Sequence, residues 1–310
     1  MEKRVEQLLN NIGKIIVGKE ETIKNIVAAL LCNGHVLIED VPGVGKTRLV
    51  SALAASLNGK FNRIQLTPDI MPSDIVGFST PDRNTGELKY HEGVAVCNFL
   101  LADEINRASS KSQSALLEVM EEHQITIDGK TIVLPSPFMV LATQNHIETY
   151  GTYHLPEAQM DRFIMRVSMG YPTKSEEKQI LEYQSKPISE LSNVMNTEYI
   201  IELQKEVEDV KVTEKLKDYI VNIVEFTRNS PDITLGISPR GSIALYKASK
   251  AMAFMEDREY VLPDDIKKIA KNVLAHRIIL SANGRANFKD ETEVIDYVLN
   301  MVEVPVANEV

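Results

Sequence analysis

The feature that most constrains this chain is a glycine-bearing segment at residues 39–47, EDVPGVGKT. It follows a short apolar run at residues 35–38 and precedes a helical pattern at residues 48–57. Strand, loop and helix in this order are typical of a phosphate-binding loop, because small residues let backbone N–H groups surround a phosphate and the helix N-terminus adds positive potential. In such a loop we expect Lys46 to reach the β- and γ-phosphates and the Thr47 hydroxyl to bind Mg²⁺.

One residue of this segment departs from the strict pattern GxxxxGK[ST], which has glycine where this chain has Asp40. A carboxylate aimed at the phosphates would repel them, so we expect Asp40 to turn away from the nucleotide. The residues of this segment predicted to bind the nucleotide are Pro42, Gly43, Val44, Gly45, Lys46, Thr47 and Arg48.

A pair of acids ends the second informative segment, residues 99–104, FLLADE. Ligands bind at the carboxyl ends of parallel strands, and a strand followed by two carboxylates fits that position. We expect Asp103 to hold Mg²⁺ and Glu104 to polarise the attacking water, because hydrolysis of a γ-phosphate needs a positioned nucleophile. The acid pair alone could be a solvated strand end, but after a phosphate-binding loop it indicates nucleotide hydrolysis.

The remaining pattern predicts an α/β fold with a parallel sheet flanked by helices. Continuous apolar runs, typical of strands buried on both faces, alternate with helical patterns. Besides residues 35–38, the predicted strands are residues 61–66, 97–102, 138–142 and 163–169. From residue 174 onward the pattern is helical, with helices starting at Pro239 and Pro263. We therefore predict an α/β nucleotide-binding core at residues 1–172 and a smaller all-helical domain at residues 173–310.

An insertion interrupts the predicted core at residues 124–134. Polar and apolar residues alternate there around Asp128-Gly129, which is a strong signal for a two-residue hairpin turn. We expect a β-hairpin that projects from the sheet just before the strand at residues 138–142.

Composition excludes several classes of protein. The net charge of −10 and a pI of about 5.2 argue against nucleic-acid binding through the overall charge of the protein. Two cysteines, Cys32 and Cys97, cannot form a disulfide scaffold, and they lack the spacing of a zinc site. No apolar run is long enough to cross a membrane, so we expect a cytoplasmic protein.

Six segments in order resemble the MoxR family of AAA+ ATPases, over nearly the whole chain. These segments are residues 40–47, 66–75, 101–108, 142–145, 155–163 and 237–240. The resemblance implies a P-loop AAA+ core with a parallel sheet flanked by helices, followed by a smaller all-α lid domain. It also implies that the chain binds ATP and Mg²⁺ and hydrolyses ATP.

The resemblance assigns further residues to the nucleotide. Asn145 matches the asparagine that ends the strand beside the two acids and holds the attacking water or the γ-phosphate. Arg240 matches a lid arginine aimed back at the γ-phosphate. Val17 and Gly18 match the backbone strip beside the adenine.

Arg162 resembles the arginine finger that reaches into the nucleotide site of a neighbouring subunit. Arginine suits this role because its planar, permanently charged group meets phosphate oxygens with two donors. Arg107 is an alternative finger, and the sequence does not decide between the two. A finger that acts on a neighbour implies a homo-oligomer, by resemblance a hexameric ring, with insertions at residues 79–94 and 124–134 facing a client.

By resemblance, the chain is a chaperone-like remodeller of partner proteins, including ones with von Willebrand factor A domains. One alternative is the motor subunit of a metal-chelatase-like complex, which differs in partner rather than in hydrolysis chemistry. Another is a nucleotide-dependent binding scaffold or a nucleic-acid motor. A scaffold would lack the hydrolytic residues, and the hairpin at residues 124–134 offers only Lys130 to nucleic acid.

Overall fold

The described chain combines a central parallel sheet, peripheral hairpins and a helical C-terminal part. The computed structural model describes residues 1–39, 43–83, 86–145, 155–183, 188 and 191–305. The strands are β1 (Val36–Glu39), β2 (Phe61–Gln65), β3 (Gly77–Pro81), β4 (Leu88–Glu92), β5 (Phe99–Asp103), β6 (Gln124–Ile127), β7 (Lys130–Val133), β8 (Met139–Gln144), β9 (Met165–Val167), β10 (Ile233–Leu235) and β11 (Ile279–Leu280). The helices are α1 (Lys3–Gly13), α2 (Glu20–Leu31), α3 (Lys46–Ser56), α4 (Pro72–Val76), α5 (Ser110–Glu122), α6 (Glu157–Met160), α7 (Lys174–Tyr183), α8 (Thr197–Asp209), α9 (Glu214–Asn229), α10 (Pro239–Met255), α11 (Pro263–Leu274), α12 (Ala282–Asn287) and α13 (Glu291–Met301).

The central sheet has five strands in the order β2-β5-β8-β1-β9, and every neighbouring pair is parallel. The predicted parallel sheet flanked by helices is therefore confirmed. The last strand is shorter than the predicted residues 163–169, because β9 pairs only with β1 at the edge of the sheet. Since all five strands of this sheet run the same way, the carboxyl ends of β1, β5 and β8 lie at one edge.

Two apolar cores cover the two faces of this sheet. Phe99 and Leu101 of β5 pack in one core, while Leu100 and Ala102 pack in the other. All five residues of β5 and all six of β8 are buried. Burial on both faces explains why these strands read as continuous apolar runs rather than as alternating ones.

The C-terminal part is mostly helical, but it is not free of strands as the sequence predicted. β10 and β11 form an antiparallel pair that joins the segment before α10 to the segment after α11. The two strands have three and two residues, too few for an alternating pattern to register in the sequence. The predicted helix starts at Pro239 and Pro263 are confirmed, and the division at residue 172 stays a prediction.

The predicted hairpin at residues 124–134 is confirmed as β6 and β7, which pair antiparallel. Its turn has positive φ at both Asp128, 51°, and Gly129, 74°, as the Asp-Gly signal requires. The other predicted insertion, residues 79–94, is also a hairpin, formed by β3 and β4. It begins at Gly77, two residues earlier than the predicted segment.

Cys32 and Cys97 are both free and buried. Among the described residues no helix combines the length and the apolar character that a membrane crossing needs.

A buried histidine lies where β1 begins. His35 donates from Nε2 to the carbonyl of Met120 at 2.9 Å and accepts at Nδ1 from the Val140 N–H at 3.0 Å. Full burial lowers the pKa of His35 from its ordinary 6.5 to about 4, so the folded protein holds a neutral imidazole. Protonation at Nδ1 would break the bond with Val140.

Acid is expected to destabilise the fold through His35. The unfolded chain binds a proton near pH 6.5 and the folded chain only near pH 4, so the stabilisation is complete above pH 6.5 and is lost as pH falls toward 4. Between pH 7 and 5 the free energy of unfolding should drop about 2 kcal/mol more in the wild type than in His35→Gln. Urea unfolding at both pH values measures this difference, and equal drops in the two proteins would contradict it.

Candidate active site

The phosphate-binding loop connects β1 to α3. Gly43 and Gly45 have φ of 85° and 91°, a conformation that favours glycine, and Gly45 directly precedes the first residue of α3, Lys46. The N-terminal end of α3 therefore faces the end of the loop, where the helix dipole and the N–H groups stabilise an anion. The predicted nucleotide ligand Pro42 and the divergent Asp40 lie outside the described residues.

A cavity of about 390 Å³ lies at the carboxyl edge of the sheet, and most of the predicted site residues line it. Its lining includes eight of the predicted residues, Gly43, Gly45, Lys46, Thr47, Arg48, Asp103, Glu104 and Asn145. Parallel topology brings them together, because the loop follows β1, Asp103 ends β5 with Glu104 directly after it, and Asn145 follows β8. Neither Arg162 nor Arg240 is part of this lining.

Asp103 is buried and held by two donors. Its Oδ1 accepts from the Thr143 hydroxyl at 3.2 Å and its Oδ2 from Arg63 Nε at 2.7 Å. Mg²⁺ takes one or two protein oxygen ligands and completes its shell with water and phosphate oxygens. A carboxylate from Asp103 and a hydroxyl from Thr47 on the same cavity fit that donor set.

Glu104 is fixed by both its backbone and its side chain. Its φ of 56° is unusual for a residue with a side chain, and its N–H donates to the Thr143 hydroxyl at 2.9 Å. Its Oε2 accepts from Gln65 Nε2 at 2.7 Å and from Arg107 Nη1 at 2.9 Å. Arg107, the alternative finger, is therefore engaged with the acid of its own chain.

Three side chains of this cavity were missed from the sequence, namely Arg63, Gln65 and Thr143. The ion pair of Arg107 with Glu104 was missed as well. A signal for Gln65 and Thr143 exists, because both occupy the carboxyl ends of strands of a predicted parallel sheet. No comparable signal distinguishes Arg63 from other exposed arginines.

A second cavity, of about 380 Å³, opens beside the phosphate-binding loop. Its walls are mainly apolar and come from the turn after α1 and from α7, with Val17, Tyr171, Ile180 and Leu181 among them. A concave apolar pocket next to a phosphate site suits a flat heterocyclic base. Arg48 lines both cavities and so lies between the phosphate-binding loop and the apolar pocket.

Gly18 follows Val17 but is not part of the lining of this second cavity, and its place beside the adenine stays a prediction. It has φ of 69° and lines an adjoining cleft with Glu176. A Cβ at Gly18 would lie 2.1 Å from Glu176 Oε1, so this turn favours glycine. The turn places Val17 in the wall of the second cavity.

The two predicted arginines lie together elsewhere. Arg162 Nη2 is 2.9 Å from Glu121 Oε2, and Arg240 Nη2 is 2.6 Å from Glu121 Oε1. The cleft that they share, of about 220 Å³, is also lined by His35 and Ile164, which directly precede β1 and β9. We call Arg162 and Arg240 with their surroundings the arginine edge, because they lie at the amino ends of the strands.

Arg240 does not reach the phosphate-binding loop of its own chain, so its expected contact with a γ-phosphate stays a prediction. The four residues of β1 separate the arginine edge from the phosphate-binding loop. At about 3.3 Å per residue this is about 13 Å before any loop is added, which exceeds the reach of an arginine side chain. The arginines and the phosphate-binding loop thus occupy opposite edges of one sheet.

A buried network fixes the backbone of the arginine edge. Asp161 Oδ1 accepts from Arg277 Nη1, and Asp161 Oδ2 accepts from the Ser238 hydroxyl at 2.6 Å. The Ser238 hydroxyl in turn accepts from the Arg240 N–H at 3.1 Å. Arg277 also donates to the carbonyl of Phe163 at 2.6 Å. The segment that carries Arg162 and the helix that carries Arg240 are therefore tied to one carboxylate.

Comparisons with known proteins agree with this architecture. A family model described as the ATPase family associated with various cellular activities (AAA) matches residues 35–165, and one for an AAA lid domain matches residues 225–297. A Cytophaga hutchinsonii protein assigned as an ATPase has a solved structure that superposes with a TM-score of 0.90, at 36% identity over 98% of this chain and 96% of the other. Fold and site together define an ATP hydrolase of the AAA class.

Full-length relatives narrow the class further. The chain is 48% identical to the uncharacterised protein YeaC of Bacillus subtilis over 96% of this chain and 94% of YeaC. It is 39% identical to Chaperone MoxR1 of Mycobacterium tuberculosis over 99% of this chain and 84% of MoxR1. It is 30% identical to Protein MoxR of Paracoccus denitrificans over 87% of each chain. The chain belongs to the MoxR family of AAA+ ATPases.

Proposed function

We propose that this chain is a Mg²⁺-dependent ATPase that works as a homo-oligomeric ring, in which Arg162 and Arg240 act on the nucleotide of the neighbouring subunit. One observation carries the proposal. The arginine edge and the phosphate-binding loop lie on opposite edges of the sheet, so a complete site needs two subunits. Head-to-tail contacts that close generate rings, and the family resemblance points to a hexamer.

Within one subunit the carboxyl edge supplies the chemistry of hydrolysis. Lys46 and the N–H groups of the loop hold the phosphates, and Thr47 and Asp103 would hold Mg²⁺, which supplies charge neutralisation when bound. Glu104, held by Gln65 and Arg107, orients water toward the γ-phosphate, and Asn145 completes the same cavity. Guanidinium groups from the neighbour stabilise the charge of the transition state.

The work done by this cycle is, we propose, chaperone-like remodelling of a partner protein in the cytoplasm. The name of the relative MoxR1 supports a chaperone role, and the resemblance adds clients with von Willebrand factor A domains. The two hairpins offer contact surfaces, with Phe78 50% exposed on β3 and Val133 74% exposed on β7. Exposed apolar side chains on projecting hairpins favour contact with protein over contact with nucleic acid.

Mixing two inactive variants tests whether the arginines act across subunits. Arg162→Ala keeps an intact phosphate site, and Glu104→Gln keeps an intact arginine edge. Each variant alone should hydrolyse ATP at least about tenfold more slowly than the wild type. A random equal mixture should recover about a quarter of the wild-type rate. The reason is that one interface between neighbouring subunits in four, here called a seam, combines an intact phosphate site with an intact arginine edge. Steady-state phosphate release against protein concentration measures the recovery.

A matched mixture provides the control. Asp103→Asn mixed with Glu104→Gln has a damaged phosphate site in every subunit, so no seam is complete and no activity should return. Co-purification with two different tags shows that both kinds of subunit share one assembly. Absence of recovery in such mixed assemblies of Arg162→Ala and Glu104→Gln would contradict action across the seam.

A further inference from the structure

Glu121 occupies both arginines of the arginine edge at once. It is the penultimate residue of α5, and each of its carboxylate oxygens forms an ion pair with one guanidinium group, Oε2 at 2.9 Å from Arg162 and Oε1 at 2.6 Å from Arg240. The two arginines come from distant parts of the chain, before β9 and at the start of α10. A single carboxylate therefore stands where two cations converge.

The geometry resembles the recognition of a phosphate group. Two guanidinium groups that converge on one anion would repel each other without it, and a terminal phosphate presents the same negative oxygens in greater number. Arg162 Nε is buried and has no hydrogen-bond partner among the described residues. Glu121 thus leaves part of the donor capacity of Arg162 unused, and a larger anion can take it up.

Within the arginine edge, the ion pairs of Glu121 are the contacts that can be replaced by another anion. The side chains of Glu121 and Arg240 are 39% and 51% exposed, and exposed ion pairs are weak because water competes for them. The Arg277 side chain beneath them is 2% exposed and holds the backbone through Asp161. The backbone is therefore fixed while the guanidinium ends can change partner.

We propose that Glu121 is a positioning residue that holds Arg162 and Arg240 until a neighbouring subunit presents ATP, and that its carboxylate then gives way to the γ-phosphate. The proposal rests on the function proposed above, in which both arginines act across the seam. It follows that Glu121 competes with the γ-phosphate, so it raises the protein concentration needed to close the ring with ATP. With ADP, which has no γ-phosphate, there is nothing for Glu121 to compete with.

Assembly in a protein that cannot turn over ATP isolates this competition. In a Glu104→Gln background, sedimentation velocity gives the protein concentration at which half of the chain is assembled, with Mg·ATP and separately with Mg·ADP. Glu121→Gln keeps the length of the side chain and removes its charge. It should lower the midpoint about fivefold with ATP and less than about twofold with ADP, because only the γ-phosphate exchanges with the carboxylate.

Glu122→Gln is the matched control, since Glu122 is an exposed neighbour with the same charge and lies in no described ion pair. It should leave both midpoints unchanged. An equal shift in Glu122→Gln, or an equal shift with ATP and ADP in Glu121→Gln, would indicate a general charge effect and overturn the proposal. An unchanged midpoint in Glu121→Gln with unaltered thermal unfolding would overturn it as well.

Removing the arginines separates this proposal from the function on which it rests. In the Arg162→Ala, Arg240→Ala double variant, adding Glu121→Gln should have no effect on the midpoint, because the carboxylate has nothing left to hold. If that double variant assembles with ATP as the parent does, the arginines do not reach the nucleotide and the proposed function fails. If it assembles more weakly while Glu121→Gln alone changes nothing, only the role of Glu121 fails.

Discussion

Glu104→Gln is expected to abolish steady-state ATP hydrolysis, by about a hundredfold or more, while ATP binding is retained. The glutamine keeps the shape of the side chain but cannot accept the proton of the attacking water. Lys46 and the phosphate-binding loop remain intact, so the dissociation constant for ATP should stay within about threefold. Phosphate release measures turnover, and a fluorescent ATP analogue measures binding.

Two further variants sharpen this result. Glu118→Gln on the exposed side of α5 removes the same charge outside the cavity and should keep the wild-type rate. Gln65→Leu removes one donor to Glu104 while leaving its carboxylate, and should slow hydrolysis less than Glu104→Gln does. Turnover within tenfold of wild type in Glu104→Gln would mean that another group positions the water.

Arg277→Met is expected to lower the free energy of unfolding by about 3–5 kcal/mol, because it leaves the Asp161 carboxylate without its cationic partner in a buried site. The same change removes donors from the carbonyls of Asp161, Phe163 and Val273. Burial lowers the pKa of Arg277 below its ordinary value, and nearby Asp161 opposes that shift, so the two groups depend on each other. Urea unfolding at pH 7.5 measures the loss.

An exposed ion pair between α11 and α13 serves as the control. Lys271 and Asp296 are 2.7 Å apart with side chains 46% and 47% exposed, so Lys271→Met should cost less than about 1 kcal/mol. The double variant Arg277→Met, Asp161→Asn should lose less stability than the sum of the single changes, since no buried charge is left alone. A loss below about 1 kcal/mol in Arg277→Met would refute the buried network.

The carboxyl edge of the sheet could be predicted because its residues follow buried strands. Gly45, Asp103 and Asn145 lie far apart in sequence, but each comes just after an apolar run, and parallel topology brings the ends of such runs together. The hairpin at residues 124–134 could be predicted for an equally local reason, the turn conformation that Asp128-Gly129 adopts.

The arginine edge could be predicted only in part, because its geometry depends on contacts between distant elements. The resemblance identified Arg162 and Arg240, but the direction of Arg240 depends on how α10 docks beside the sheet. The contact of Glu121 with both arginines gives no sequence signal, because Arg162 and Arg240 lie 41 and 119 positions away from it along the chain. The three-residue β10 was missed because so short a strand has no period.

The opposite placement of the phosphate-binding loop and the arginine edge gives each subunit a head and a tail. A two-fold symmetric dimer uses the same surface patch on both partners. It therefore cannot bring the phosphate-binding loop of each subunit against the arginine edge of the other when the two lie on opposite edges of the sheet. If the arginines act on the neighbouring subunit as proposed, only a repeating, one-directional arrangement completes every site. In such an assembly each ATP would contact the arginines of one neighbour and not those of the other, so the two directions around the assembly would not be equivalent.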